Sequence, residues 1–177
     1  MESTGIIIKS RIGVKIFKRF AIFDGFFVKK FWRSPLIFFL IMAVAATVCF
    51  TQQGRSDQAA MLGTLLLGVG IGLPAAYVFS FFGNITAQVK KYGLIIPREF
   101  YTLKLTREPD GIAVSQPGGA SARYKWAEVY GAYRRKGCVY LYIVKNKAFL
   151  LPEGQAEGGE DFWPFLSEMI PPGKLHI

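Results

Sequence analysis

Residues that could carry out chemistry are few in this sequence of 177 amino acids. The sequence has a single histidine, His176, close to its C-terminal end, and we interpret it as a solvated tail residue. A catalytic site with a histidine general base, or a zinc site with histidine ligands, is therefore not indicated. The carboxylates of Glu128, Glu160 and Asp161 are dispersed over predicted turn and cap positions, where acidic residues are common. We therefore expect a protein that is not an enzyme and that needs no cofactor and no metal.

A glycine-rich run, Gly68-Val69-Gly70-Ile71-Gly72, resembles a phosphate-binding loop only superficially, because it lies in an apolar segment and no Lys-Ser or Lys-Thr follows it. Gly68 and Gly72 do share one helix face at the spacing that lets helices approach closely, while Gly63 and Gly70 fall on the other side. This face could pack on another helix of the same chain, join two copies in a homo-oligomer, or have no packing role. Within the chain, the facing residues would be Ala43, Ala46 and Thr47.

Basic residues remain as candidates for binding, and the first group lies before the apolar segments. At about 100° per residue these cations fall on one side of a helical wheel, and five phenylalanines gather on the opposite side. Such a basic amphipathic helix lies among anionic lipid headgroups; the alternatives are a helix packed on a soluble domain, or one that binds another partner. Gly25 is a candidate break in it. The cations are Lys15, Lys18, Arg19, Lys29, Lys30 and Arg33, and the aromatic residues are Phe17, Phe20, Phe23, Phe27 and Phe31.

A second basic group, Arg134-Arg135-Lys136, ends a predicted strand, and we expect Arg123 and Lys125 on the adjacent strand of the same sheet. Near an anionic membrane each cation could contribute about 1 kcal/mol of attraction, whereas the alternative is a solvated turn. Aromatic residues nearby could stack on bases, but their spacing is equally typical of a core, so no nucleic acid is expected as a partner. We assign Trp126 to the core.

Two apolar segments, Pro35–Thr51 and Ala59–Phe82, must position these groups, and each is long enough to cross a bilayer as a helix. Neither contains Asp, Glu, Lys, Arg or His, so we interpret them as an anchor rather than as a path for ions or solutes. Pro74 is a candidate kink. The sequence thus predicts an arm over residues 1–33, a transmembrane hairpin over 34–89 and a linker over 90–100.

Charge predicts the orientation of the hairpin. The net charge of +10 divides into +6 before residue 35, zero over 35–89 and +4 after it. Because positive charges near the ends of spans are retained in the cytoplasm, we expect both termini there and the connection Gln52–Ala60 outside. We also expect Cys49 and Cys138 to be reduced thiols rather than a disulfide.

From Tyr101 the hydrophobic period changes to two, which indicates strands. We predict an antiparallel meander with a central strand over Val139–Val144, a helix that begins near Asp161, and a frayed tail over 173–177. The predicted strands cover residues 101–106, 112–115, 122–126, 139–144 and 148–151, and Tyr130 and Tyr133 belong to a further strand that ends at Arg134-Arg135-Lys136-Gly137. Whether Ile6-Ile7-Ile8 begins a further strand stays open at this point.

Short antiparallel strands closed by one C-terminal helix resemble a pleckstrin-homology-like (PH-like) domain. The order of landmarks also resembles the YcxB-like family of bacterial membrane proteins. These landmarks are Asp110-Gly111-Ile112, Lys125-Trp126 with Glu128-Val129, Val139-Tyr140-Leu141-Tyr142-Ile143, Phe149-Leu150-Leu151-Pro152, and Asp161-Phe162-Trp163 with Phe165-Leu166. The resemblance implies a multi-pass protein of the bacterial inner membrane, of α+β class, in which two transmembrane helices precede a PH-like domain over residues 101–172. It implies a longer strand-like segment before the spans, and no settled activity.

Two hypotheses of function follow. The first is a non-enzymatic inner-membrane protein that presents its PH-like domain at the cytoplasmic face to anionic lipid or to a protein partner of unknown identity. The second is an immunity-type protein that neutralises a membrane-acting toxin by direct binding.

Overall fold

The computed structural model describes residues 5–52, 54, 57–157, 159 and 161–177 of the chain. These residues form two compact units. A helical unit comprises Ala21–Lys91, and a sheet unit combines the described residues up to Phe20 with Tyr92–Ile177. In sequence, the helical unit is therefore inserted into the sheet unit, which extends beyond the range 101–172 predicted for the soluble domain.

Two long helices dominate the helical unit: α2 (Arg33–Thr51) and α3 (Asp57–Lys91). Both are long and apolar enough to span a membrane, so the two predicted apolar helices are confirmed. The connection predicted to lie outside the membrane includes Gln53, Arg55 and Ser56, which lie outside the described residues. Ahead of α2, helix α1 (Val14–Phe23) begins in the sheet unit and ends in the helical unit.

At Gly25 the backbone changes to a π-helical turn, Asp24–Val28, which directly continues α1. A Cβ at Gly25 would lie 2.7 Å from Cζ of Phe81, so only glycine leaves room for this ring. At the predicted break the helix is thus widened rather than interrupted. The helical backbone ends before Lys30, whose φ of 51° is in the left-handed region.

The packing of α2 on α3 uses Gly63 and Gly70, seven residues apart and both buried. A Cβ at Gly70 would lie 2.7 Å from Cβ of Met42, and one at Gly63 would lie 3.0 Å from the Phe50 ring. By contrast, a Cβ at Gly68 or Gly72 would meet no described atom within 4 Å. The expectation that Gly68 and Gly72 pack on the first helix is therefore wrong, because they lie on the opposite face of α3. Packing between copies stays a prediction.

The described strands of the sheet unit are β1 (Ile6–Ile12), β2 (Arg98–Leu105), β3 (Ile112–Ser115), β4 (Ser121–Tyr124), β5 (Gly131–Arg135), β6 (Cys138–Val144), β7 (Lys147–Pro152) and β8 (Leu175–His176). They form two four-stranded sheets, in the orders β1-β2-β3-β4 and β7-β6-β5-β8. All adjacent pairs are antiparallel except β5 with β8. Helix α4 (Trp163–Met169) lies between β7 and β8 in sequence; Glu160, just ahead of it, lies outside the described residues.

The single predicted meander is thus wrong, because the chain leaves the first sheet after β4. A 3₁₀ helix, Trp126–Glu128, separates β4 from β5, so Trp126 lies outside the strand predicted over residues 122–126. Its place in the core is confirmed: the indole is 5% exposed, and its N–H donates to the carbonyl oxygen of Thr106 at 2.9 Å. Strand β6 is central in its sheet, as its continuous apolar sequence predicted.

The tail over 173–177, which was predicted to be frayed, contains a short ordered strand, β8. Leu175 in β8 pairs with Ala132 in β5, and the ring of His176 stacks on Tyr133 with centroids 4.5 Å apart. The ammonium of Lys174 donates to the carbonyl oxygen of Val129 at 2.6 Å. His176 itself is exposed.

Strand β1 answers the question that the sequence left open. Ile8 pairs with Leu103 in β2, and both side chains are fully buried. Part of the segment predicted as a basic arm therefore completes the first sheet.

Candidate membrane-surface site

The first part of α1 packs on the sheet unit through its aromatic residues. The ring of Phe20 lies 5.3 Å from that of Tyr140 and 6.3 Å from that of Tyr142, measured between centroids. Phe17 makes an edge contact with Tyr92 at 6.2 Å. Two phenylalanines that the lipid interpretation would immerse thus contact the sheet unit, as the alternative of a packed helix requires.

The basic side of α1 stays exposed and reaches the turn between β5 and β6. Lys15, Lys18 and Arg19 share one helix face, and all three are exposed. The guanidinium of Arg19 donates to the carbonyl oxygen of Lys136 at 3.4 Å. This contact adds the exposed side chains of Arg135 and Lys136 to the same surface. We call these five cations the basic surface.

The turn that presents Lys136 has a specific backbone geometry. Lys136 and Gly137 both have positive φ angles, 38° and 83°. Two consecutive residues of this kind form a type I′ turn, whose twist matches that of the two strands it joins. The turn thus fixes the position of Lys136, and a substitution there must tolerate the left-handed conformation.

Under the basic surface lies the phenol of Tyr140. Burial raises the pKa of Tyr140 to about 12, although the charges of Arg19 and Arg135 act in the opposite direction. Burial likewise raises the pKa of the Cys138 thiol to about 12. Both groups are therefore neutral at physiological pH. Cys138 and Cys49 are both free, and the reduced state of their thiols stays a prediction.

Arg134 differs from its two neighbours. Its guanidinium bonds Glu153 at 2.6 Å and Asp161 at 3.2 Å, and lies 5.6 Å from the centre of the Trp163 ring. Asp161 also accepts a hydrogen bond from the backbone N–H of Trp163 at 3.0 Å. Arg134 thus links β5 to the end of β7 and to the start of α4. Its role in binding stays a prediction.

The expectation that Arg123 and Lys125 lie beside Arg134 on the same sheet is wrong. Arg123 belongs to β4, at the edge of the first sheet, whereas Arg134 belongs to β5 in the second. Lys125 follows β4 as the residue before the 3₁₀ helix. The reason is the turn through that helix, which moves the chain from one sheet to the other.

The remaining predicted cations, Lys29, Lys30 and Arg33, belong to the helical unit. All three are exposed, and the ammonium of Lys29 pairs with the carboxylate of Asp24 at 2.6 Å. Among the described residues, no three His, Cys, Asp or Glu side chains are grouped so that they could hold a metal ion.

The contact between Arg19 and Lys136 was not predicted, because 117 residues separate the two in sequence and no local pattern indicates it. Ile95 and Ile96 were assigned to the linker, although two consecutive isoleucines between Gly93 and Pro97 are unusual for a polar linker. This apolar pair was a signal in the sequence that the segment after α3 presents an aliphatic surface.

Comparison with known protein families gives a match that lies within the sheet unit. The family model described as YcxB-like protein matches residues 108–157, a range that contains β3 to β7. No curated protein and no solved structure matches the chain. The landmarks from Asp110 to Pro152 fall within the matched range, and Asp161-Phe162-Trp163 lies beyond it. The resemblance to the YcxB-like family is therefore confirmed, and residues 108–157 of this chain carry it.

Proposed function

We propose that this chain is a non-enzymatic bacterial inner-membrane protein whose sheet unit binds anionic lipid at the cytoplasmic face through the basic surface. The observation that carries the proposal is the contact between Arg19 and the Lys136 carbonyl, which unites cations from two distant segments. Cations near an anionic leaflet contribute about 1 kcal/mol each, so five of them acting together supply a substantial attraction.

The helical unit supports the membrane location. Only 6% of the apolar window in α2, and 6% of that in α3, is buried inside the molecule. Helices that are apolar all round need an apolar surrounding, which a bilayer supplies. We propose that both helices span the membrane. The lysines and arginines that flank them, including Lys90 and Lys91, favour cytoplasmic termini.

We also propose that the sheet unit has a PH-like fold. Two four-stranded sheets and the helix α4 after the last long strand support this assignment. Two features extend that plan: β1 comes from before the hairpin, and β8 follows α4.

The proposal is tested on the full chain, purified in detergent and titrated with phosphatidylglycerol or phosphatidylcholine, with bound lipids counted by native mass spectrometry. The test variant combines Lys15→Ala, Lys18→Ala and Lys136→Asn, since asparagine tolerates the left-handed backbone at that turn. The control variant, Arg123→Ala with Lys125→Ala, removes cations outside the basic surface. We expect the test variant to lose at least about tenfold in affinity for phosphatidylglycerol, and the control to retain it.

Equal binding of the two lipids by the unsubstituted chain would overturn the proposal. So would a loss in the control variant as large as that in the test variant. If instead the test substitutions abolish crosslinking to a protein in native membranes and leave lipid binding unchanged, the protein-partner version replaces the lipid version. A membrane-acting toxin captured in that way would establish the immunity-type hypothesis.

A further inference from the structure

A short apolar loop, Tyr92–Pro97, connects α3 to β2. The side chains of Ile95 and Ile96 are 76% and 69% exposed, whereas Leu94 beside them is 1% exposed. Gly93 has a φ of 61°, which ends α3 and directs the chain into the loop. The loop therefore buries the side chain of Leu94 and leaves those of Ile95 and Ile96 largely exposed.

Within the sheet unit, this loop lies beside the start of α1. Ile12 pairs with Arg98 in the ladder between β1 and β2. Gly13, which follows Ile12, therefore lies next to Pro97, which precedes Arg98. A Cβ at Gly13 would lie 3.3 Å from Cγ of Pro97. The ring contact between Phe17 and Tyr92 adds a second link.

Exposed cations lie on the two segments that contact this loop: α1, through Phe17 and Tyr92, and Arg98, whose guanidinium carbon lies 3.6 Å from the position of a Cβ at Gly93. Lys15 and Lys18 on α1 and Arg98 at the start of β2 are all exposed. The acidic residue of this region, Glu99, accepts a hydrogen bond from the Thr102 hydroxyl at 2.8 Å. An aliphatic centre with a basic rim matches the interface of an anionic bilayer, where side chains meet acyl chains and cations meet headgroups.

The length of α3 is consistent with this location. Its 35 residues correspond to about 52 Å of helix. A bilayer with its headgroups is about 40–45 Å thick, so a tilt of about 30° brings the end of α3 to the level of the headgroups. The loop begins one residue after that end, at Tyr92.

We propose that Ile95 and Ile96 insert into the interfacial layer of an anionic phospholipid bilayer, with Lys15, Lys18 and Arg98 at the headgroups. The inference rests on the proposed function, because it requires α3 to span the same bilayer. It adds a second, apolar contact between the sheet unit and the membrane to the electrostatic one.

The test uses the full chain with Cys49→Ala, in which the buried Cys138 is protected from labelling. An environment-sensitive fluorophore is attached at Ile95→Cys or Ile96→Cys, and the chain is reconstituted with brominated phosphatidylglycerol as the quencher. The matched control is Val144→Cys, an aliphatic residue that is 53% exposed and precedes Lys145. A second control, Leu65→Cys, reports on the first half of α3, inside the proposed span.

We expect lipid quenching at Ile95 and Ile96 to reach at least half of that at Leu65, with little quenching at Val144. Quenching at Leu65 but not at Ile95 or Ile96 would overturn this inference and leave the membrane anchor in place. Blue-shifted but unquenched emission at Ile95 and Ile96 would also overturn it, because it indicates cover by protein. Absence of quenching at Leu65 would overturn the proposed function together with the inference.

Discussion

The hydroxyl of Ser10 donates a hydrogen bond of 2.6 Å to the carbonyl oxygen of Leu150, across 140 residues of sequence. The backbone N–H of Leu150 donates to the phenol oxygen of Tyr101, also at 2.6 Å. Leu150 lies in β7, at the edge of the second sheet, while Ser10 and Tyr101 lie in the first. Side chains of one sheet thus satisfy the backbone of the other, and the strand before the hairpin takes part in this junction.

We predict that Ser10→Ala destabilises the full chain by about 0.5–1.5 kcal/mol, because it removes a buried hydrogen bond while the Tyr101 hydroxyl still donates to the same carbonyl oxygen at 3.3 Å. The measurement is chemical unfolding of the detergent-solubilised protein. Ser115→Ala is the matched control, since that hydroxyl makes an exposed bond of 3.4 Å. Equal effects of the two substitutions would show that the junction between the sheets contributes little.

Arg134→Ala should lower the free energy of unfolding by about 1–2 kcal/mol, a value discounted for the partial exposure of its two ion pairs. Arg134→Lys should recover only part of this loss, because lysine lacks the planar fork that reaches both carboxylates. Unfolding of the two variants gives the comparison with the unsubstituted chain. If Arg134→Ala weakens lipid binding and leaves stability unchanged, the binding role predicted from sequence is correct and the structural role is not.

Gly70→Leu should separate α2 from α3, because a Cβ there already meets Cβ of Met42 at 2.7 Å. We expect a lower unfolding temperature for this variant and an unchanged one for Gly68→Leu. Crosslinking in membranes tests whether Gly68 and Gly72 pack two copies of the chain against each other. If they do, leucine at both positions abolishes the crosslinked dimer. Destabilisation by Gly68→Leu in the monomer would contradict the assignment of faces.

Alkaline pH should destabilise the sheet unit through Tyr101. Burial raises the pKa of Tyr101 to about 12, compared with about 10 in an unfolded chain. The folded protein therefore retains this proton where the unfolded chain releases it, so the stabilisation is complete below pH 10 and is lost as the pH rises towards 12. Unfolding of Tyr101→Phe as a function of pH should show a slope smaller by about one proton. Other groups with raised pKa values, among them Cys138 and Tyr140, supply the remaining slope, so parallel curves for the variant and the unsubstituted chain would contradict the prediction.

Much of the fold follows from local patterns in the sequence. Hydropathy predicts α2 and α3, the alternation from Tyr101 predicts β2, and the continuous apolar run of β6 predicts its central position. These features depend on residues that are close together in the chain. The same holds for the turn at Lys136-Gly137, which needs a flexible residue at a fixed place.

The rest depends on distant contacts. Whether Ile6-Ile7-Ile8 forms a strand depends on β2, which lies beyond the hairpin in sequence. A helical wheel separates the face of Gly70 from that of Gly68, but only the shape of the partner helix determines which face is used. Likewise Arg134 and Arg135 are adjacent in sequence and point to opposite faces of a strand, so one enters an ion-pair cluster and the other the basic surface.

We propose that the hairpin holds the sheet unit at the cytoplasmic face of the membrane. Because β1 pairs with β2, the segments before and after the hairpin must lie on the same side. The most direct test is a set of fusions of alkaline phosphatase and green fluorescent protein to the C-terminus and to the connection between α2 and α3, expressed in bacteria. We predict a fluorescent, phosphatase-inactive C-terminus and a phosphatase-active connection. An active phosphatase at the C-terminus would contradict this proposal.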